Sequence, residues 1–166
     1  MDNEDGNSST QVGQLVTKLY STYSHALIHI LGFDEIECLI FFYLFCMKVY
    51  KMDPTHSRYK IYKAINKILA SSHFPSKPQH VSEKKVYESL DRLTDMGYVK
   101  KREIKNPSEL KKSKKQRAGR PPTRLYEAKS ISTIMEKVRN DFREKEAKIM
   151  EILNFLNEIE EAVGTK

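Results

Sequence analysis

The chain has 166 residues, of which 39% are hydrophobic and 31% charged. That allows one modest core, or a small domain with an appendage, and excludes a large one, because so much charge has to lie on surfaces, tails or exposed helices. Residues 1–97 carry 11 basic and 11 acidic side chains, residues 98–126 carry 11 and 2, and residues 127–166 carry 7 and 9. The positive excess therefore sits in one short segment, and a cluster of that kind attracts polyanions.

The N-terminus, Met1 to Thr10, is acidic and polar, unlike a secretory leader. Residues 1–11 read as a disordered tail because they lack apolar periodicity. Val12, Leu15, Val16, Leu19, Tyr20, Tyr23, Leu27, Ile30 and Leu31 recur at helical spacing and predict a helix over 12–31, closed by Gly32. Asp34 suits the N-cap of a second helix running to about Tyr50, apolar nearly all round and so the core helix. Its most apolar run, Cys38 to Met47, is too short to span a bilayer, so a soluble cytoplasmic chain is expected, with no membrane partner. Cys38 and Cys46 lie about 12 Å apart on this helix, too far for a disulfide, and read as buried free thiols.

Asp53, Pro54 and Thr55 read as a turn. A third helix covers 57–71, burying Ile61, Ala64, Ile65, Ile68 and Leu69, and a loop with Pro75 and Pro78 follows over 72–80. Ser82 caps a fourth helix to about Met96, with Val86, Leu90 and Leu93 inside and Gly97 ending it. Tyr98 to Ile104 and Arg124 to Ala128 read as two strands of a β-hairpin around a basic stretch. From Ser130 a heptad runs through Ile131, Met135, Val138, Phe142, Lys145, Ile149, Ile152, Leu156, Ile159 and Val163, broken only by Lys145. About 34 residues of helix span about 50 Å and cannot bury such a stripe alone, so pairing with a second copy is favoured over packing back on the domain.

Three helices, a hairpin and a cationic tip describe a winged helix-turn-helix. Ser82, Val86, Tyr87, Leu90, Leu93, Gly97, Tyr98 and Val99 fit a pattern that resembles the recognition helix and first wing strand of the TrmB, MarR and PadR groups of regulators. Leu31 to Glu37 resembles the entry to the first core helix of TrmB-like proteins, and Gly119 to Tyr126 their wing return. The resemblance covers about residues 31–128. The loop before the fourth helix and the wing tip are both longer than usual. The sugar-binding domain of full-length TrmB proteins has no counterpart in these residues, so that family's effector chemistry is not carried over.

The fold expected is mainly α with a small β-hairpin wing: a winged-helix domain over 12–128, with a basic wing over 98–128, and a long C-terminal coiled-coil helix over 129–163. The function expected is sequence-specific binding of double-stranded DNA by a homodimer that regulates transcription. On the fourth helix Ser82, Lys84, Lys85, Glu88 and Ser89 are placed to enter the major groove, and Arg92 to reach backbone. Lys100, Lys101, Arg102, Lys111, Lys112, Lys114, Lys115, Arg117, Arg120 and Arg124 supply the wing. Gly119-Arg120-Pro121 flanked by bases resembles an AT-hook core, whose arginine enters a narrow minor groove. The bland reading is that Gly119 and Pro121 only shape the hairpin.

Other constellations are weaker. His25 and His29 have metal-pair spacing but no further ligand in sight, so no metal or cofactor is expected. Tyr20, Tyr23, Tyr43 and Tyr50 read as core before they read as a ligand pocket, and an effector, small molecule or protein, is left open. Neither a Gly-rich phosphate loop nor a nucleophile–base motif is present, so no enzyme is expected. The competing readings are an architectural DNA-binding protein of low specificity and a protein-interaction module whose basic loop meets an acidic partner.

Overall fold

The computed structural model describes residues 4–49, 56–71, 80–104 and 123–164. The chain divides into two compact units, Met1–Lys129 and Ser130–Lys166. The first contains α1 (Glu4–Ala26), a π-helical turn (Leu27–Leu31), α2 (Glu35–Val49), β1 (His56–Ser57), α3 (Arg58–Leu69), α4 (Glu83–Asp95), β2 (Val99–Ile104) and β3 (Thr123–Ala128). The second is one helix, α5 (Ile131–Gly164). The architecture is mainly helical with a small antiparallel sheet, and no described helix is long and apolar enough to cross a membrane.

α2 is the centre of the first unit because its sequence leaves it no polar face. Ile36, Leu39, Ile40, Phe42, Leu44 and Cys46 are all buried. Its entry is fixed locally. Asp34 Oδ1 accepts from the Glu37 amide at 2.8 Å, and Glu37 Oε2 accepts from the Asp34 amide at 2.9 Å. This reciprocal capping box satisfies two donors that the helix start would otherwise leave open. Just before it, Gly32 takes φ +72° and ends the preceding helix. Phe33 then turns into the core and meets Phe41 and Tyr98 edge-on, with ring centroids 5.7 and 5.0 Å away.

α3 and α4 are amphipathic in the simplest way. Ile61, Ile65, Ile68 and Leu69 on α3, and Val86, Leu90 and Leu93 on α4, are buried. Each helix starts on a serine whose side chain accepts an amide three residues on: Ser57 from Lys60 and Ser82 from Lys85. α4 stops at a Schellman-type turn. The Gly97 amide reaches Thr94 O and the Tyr98 amide reaches Leu93 O, both at 3.0 Å. Gly97 takes φ +87° to make that turn, and Tyr98 behind it is fully buried.

The sheet has the order β1-β3-β2. β2 and β3 pair from Val99↔Ala128 to Ile104↔Thr123, which is the expected hairpin. β1 was not expected. His56 and Ser57 pair with Tyr126 and Leu125, and two residues are too few to carry an alternating pattern. Lys48 Nζ donates to Ala128 O at 2.8 Å and ties the sheet to α2.

Two further expectations need correction. α1 begins at Glu4, so residues 4–11 are helical and not a structureless tail. The amphipathic part from Val12 nucleates the helix, and each residue added to an existing helix gains a backbone bond at little cost. The helix expected to run evenly to Leu31 widens into a π-turn over its last five residues before Gly32. The turn at 53–55, the loop at 72–79 and the hairpin tip at 105–122 lie outside the described residues.

Gly97, like Gly32, takes a positive φ that side chains rarely adopt. We expect Gly97→Ala to cost about 1–2 kcal/mol, the penalty of a Cβ in the left-handed region. It should appear as a lower denaturant midpoint with an unchanged slope.

Candidate nucleic-acid interface

Burying Val86, Leu90 and Leu93 decides which α4 side chains are left for a ligand. Ser82, Glu83, Lys84, Glu88, Arg92 and Asp95 are exposed. Lys84 and Glu88 form an i,i+4 pair at 3.7 Å with side chains 85% and 61% exposed. A pair so wet holds its partners weakly, and Lys84 is available to a phosphate.

Of the residues assigned to DNA by the sequence, Ser89 is buried, and Lys85 and Arg92, with side chains 44% and 53% exposed, are paired with acids of α2. Ser89 is 1% exposed, and its hydroxyl has no hydrogen-bond partner among the described residues. It lies one turn from both Val86 and Leu93, so it belongs to the same inward stripe. Lys85 Nζ is 2.6 Å from Asp34 Oδ2. Arg92 donates to Glu37 Oε1 at 3.0 Å and to the Gly32 carbonyl at 3.1 Å. The acids at the start of α2 recruit these cations, a long-range pairing that spacing along α4 does not reveal.

Glu37 makes that recruitment consequential. It is 1% exposed. Burial raises its carboxyl above the ordinary value and the Asp34 carboxylate adds to the rise, while the Asp34 amide, Arg92 and Lys85 oppose it. Its folded value lies above its unfolded one, so the folded chain holds this proton more tightly. Glu37 therefore lowers stability as pH rises through that window.

The opposite side of α4 is held by Arg58. Its Nε donates to the Tyr126 hydroxyl at 2.7 Å, and its Nη2 meets Asp91 Oδ1 at 2.6 Å. The guanidinium also lies over the rings of Tyr87 and Tyr126, 5.1 and 5.5 Å from their centroids. One residue thereby joins α3, α4 and β3.

The structure adds a cationic surface that the sequence reading missed. Lys60, Lys63 and Lys67 are exposed along α3 at i, i+3 and i+7, and Arg58–Leu69 contains no acid. The exposed Tyr59 lies beside them, with Lys63 Nζ 4.7 Å from its ring centroid. Tyr59 neighbours Tyr62, and Tyr62 neighbours His80, at 6.0 and 6.3 Å between rings. The stripe is tied to the start of α4 by Asn66. Its amide oxygen accepts from the Val81 N–H at 2.8 Å, and its amide nitrogen donates to Val81 O at 3.0 Å. The signal available in the sequence was the absence of acids over 58–71.

On the hairpin, Lys100 and Arg102 are exposed and Lys101 is half-buried. Arg124 meets Glu103, its cross-strand partner, at 3.4 Å, and Arg102 meets Glu127 at 3.6 Å. Lys111, Lys112, Lys114, Lys115, Arg117 and Arg120 lie outside the described residues.

In the second unit, Met135, Phe142, Ile149, Ile152, Leu156 and Ile159 are each at least 45% exposed. Val138 is half-buried within the chain, and the side chains of Ile131 and Val163 lie outside the described residues. The heptad stripe is thus an open apolar surface on α5.

Among the weaker candidates, His25 and His29 are exposed with ring centroids 4.1 Å apart, and no group of three or more potential metal ligands occurs among the described residues. Cys38 and Cys46 are buried free thiols, pushed by burial up to about 12 and about 11. Thiols held that far from ionisation are poor nucleophiles. Tyr20 and Tyr43 are buried, but Tyr23 is 54% exposed and not part of the core, because it falls on the outer face of α1. Tyr43 borders a cavity of about 260 Å³ between α1, α2 and α3, whose lining mixes apolar Val12, Met47 and Ile68 with polar Gln14, Thr17 and Lys67. Tyr50 lies outside the described residues.

Comparison of the chain with protein-family models, with curated proteins and with solved structures gives no match.

Two substitutions separate the parts of α4. Arg92→Ala strands the Glu37 carboxylate and should cost about 2 kcal/mol, less than a fully buried pair because Arg92 is half exposed. The loss should be larger at pH 8 than at pH 4, because the raised Glu37 carboxyl takes up its proton as pH falls and the proton relieves the stranded charge. Ser89→Ala should leave stability unchanged or raise it, since it removes a buried hydroxyl without a protein partner. Thermal unfolding at the two pH values checks both.

Proposed function

We propose that this chain is a double-stranded-DNA-binding regulator of transcription that works as a homodimer. In this reading the first unit is a winged helix-turn-helix. α4 is the recognition helix, and β2, β3 and the segment between them form the wing. α5 is the dimerisation helix.

The observation that carries the reading is the acid-free lysine stripe of α3, locked by Asn66 to the start of α4 where Lys84 projects. Recognition helices meet base edges with their N-terminal residues while the preceding helix crosses the backbone. Lys60, Lys63 and Lys67 suit the backbone role, and Lys84 with Glu88 the groove. Glu88 is able to accept from a cytosine amino group, and Lys84 to donate to guanine. The hairpin supports the reading too, because its strands lead into residues 105–122, the most basic part of the sequence.

One observation favours a second reading, an architectural protein of low sequence preference. With Ser89 buried, and Lys85 and Arg92 paired with Asp34 and Glu37, α4 offers few uncommitted side chains to read bases. Affinity would then come mostly from phosphate contacts, with a small ratio of specific to nonspecific binding.

Three variants test the proposal on duplex DNA by gel shift. Deleting residues 111–120 should remove most of the affinity and leave the mass in solution unchanged. Lys60→Glu, Lys63→Glu and Lys67→Glu together should weaken binding on every sequence and flatten the salt dependence by about 0.9 per lost phosphate contact. Lys84→Ala with Glu88→Ala should weaken a preferred sequence more than a random one if the chain is a specific regulator, and both equally if it is architectural. Unchanged affinity in the first two variants would contradict DNA binding through these surfaces.

A further inference from the structure

The proposed function requires two copies of α5 to meet but leaves their direction open. We infer that α5 pairs with α5 of a second copy in antiparallel orientation. The inference rests on the dimer reading and follows from charges along the open apolar stripe.

A parallel pair in register sets every seam residue against itself. Lys145 is the one charged residue of the stripe and is exposed on α5. In a parallel pair the two Lys145 ammonium groups face each other inside the seam, where charge on the seam is tolerated least. The flanks give no relief. Positions that bracket a parallel seam pair Asp141 with the partner's Glu146, two acids, and no oppositely charged flanking pair occurs along the helix. Asp141 is partly offset by Lys137 of its own helix, 2.6 Å away. Beyond residue 148 the helix carries Glu151, Glu158, Glu160 and Glu161 and no base before its end. A parallel pair lays that acidic half on its own copy.

Antiparallel pairing reverses each of these conflicts. With Ile149 level with the partner's Ile152, Phe142 meets the partner's Ile159 and Lys145 meets the partner's Leu156. Arg139, Arg143 and Lys145 then run beside the partner's Glu158 and Glu161. Flanking charges of this kind set the orientation of paired helices. The register that overlaps the helices fully is worse, because it puts Glu146 beside its own copy and Lys148 beside its own copy. Sliding by one heptad removes both contacts.

The same register accounts for two of the apolar side chains that a simple seam leaves uncovered. Leu153 and Phe155 are 48% and 61% exposed and lie beside the stripe, not on it. In the shifted antiparallel pair Leu153 lies next to the partner's Glu146 and Phe155 next to the partner's Lys148. The aliphatic stems of those residues cover apolar neighbours while their charged ends stay in water. The N-terminal ends of the two α5 helices then lie about 60 Å apart, not side by side.

Pulsed electron spin resonance on the full chain tests this directly. Spin labels go on Glu136→Cys in one variant and Asn140→Cys in another, both exposed positions off the stripe. Cys38 and Cys46 are buried, and unmodified protein serves as the labelling control. The antiparallel pair predicts distances of about 45 Å and about 33 Å, differing by about 12 Å because each four-residue step counts twice. Equal, short distances in a dimer would overturn the orientation and leave the dimer standing. Monomer mass by light scattering would overturn the dimer itself, and the inference with it.

Discussion

The placement of α4 depends on carboxylates that hold it from both sides. Toward α2, Glu37 and Asp34 take Arg92 and Lys85. Toward α3, Arg58 takes Asp91. Glu37 dominates because it is buried and cannot be satisfied by solvent. It caps its own helix and receives Arg92 with the same side chain. Removing the cation leaves a buried charge whose cost exceeds what the pair contributed to stability when intact. The arrangement fixes the rotation of α4 about its axis. Ser89 is buried, Lys85 and Arg92 are engaged by the acids of α2, and Lys84 and Glu88 are left to solvent. What the helix presents to a ligand follows from what its neighbours demand.

Most of the first unit was legible in the sequence, and the reasons are local. Ser57, Ser82, Asp34, Gly32 and Gly97 mark helix ends through contacts that reach no more than a few residues. The inward positions of α3 and α4 follow from a period of 3.6 residues. What escaped is of two kinds. β1 is too short to carry a pattern, and α1 extends through residues whose composition argues against order. The larger misses concern side-chain destinations. Lys85 and Arg92 sit on the outward side of α4 by spacing, and only the packing of α2 against α4 brings Asp34 and Glu37 within reach. Asn66 bonding to Val81 is equally invisible, because fifteen residues separate them in sequence. The α3 lysines were legible in principle. An amphipathic helix whose charged outer residues are all basic is a signal in itself, and it was read only for its core.

The charge of the protein is thus divided by role. In α4, acids and bases are spent largely on each other and on α2 and α3. α3 keeps its cations free of acidic neighbours on its own helix, and residues 105–122 hold a larger store. Such a division suits a helix that is positioned by ion pairs and flanked by the cationic surfaces that the proposed DNA binding would use. It also bears on the proposed DNA binding, since a narrow set of base-reading side chains would place more of the binding energy on the backbone. α5 carries the complementary problem of an apolar stripe with no cover of its own. Its Lys145 and its glutamate-rich end restrict how a second copy is able to supply that cover.

The most direct measurement is fluorescence anisotropy of the full chain on random-sequence duplex DNA across a salt series. Binding that weakens steeply, by about 0.9 in the logarithm of affinity per phosphate contact for each tenfold rise in salt, is the predicted result. Absence of binding at low salt would contradict the account, and would leave the open stripe of α5 as the surface through which this protein acts.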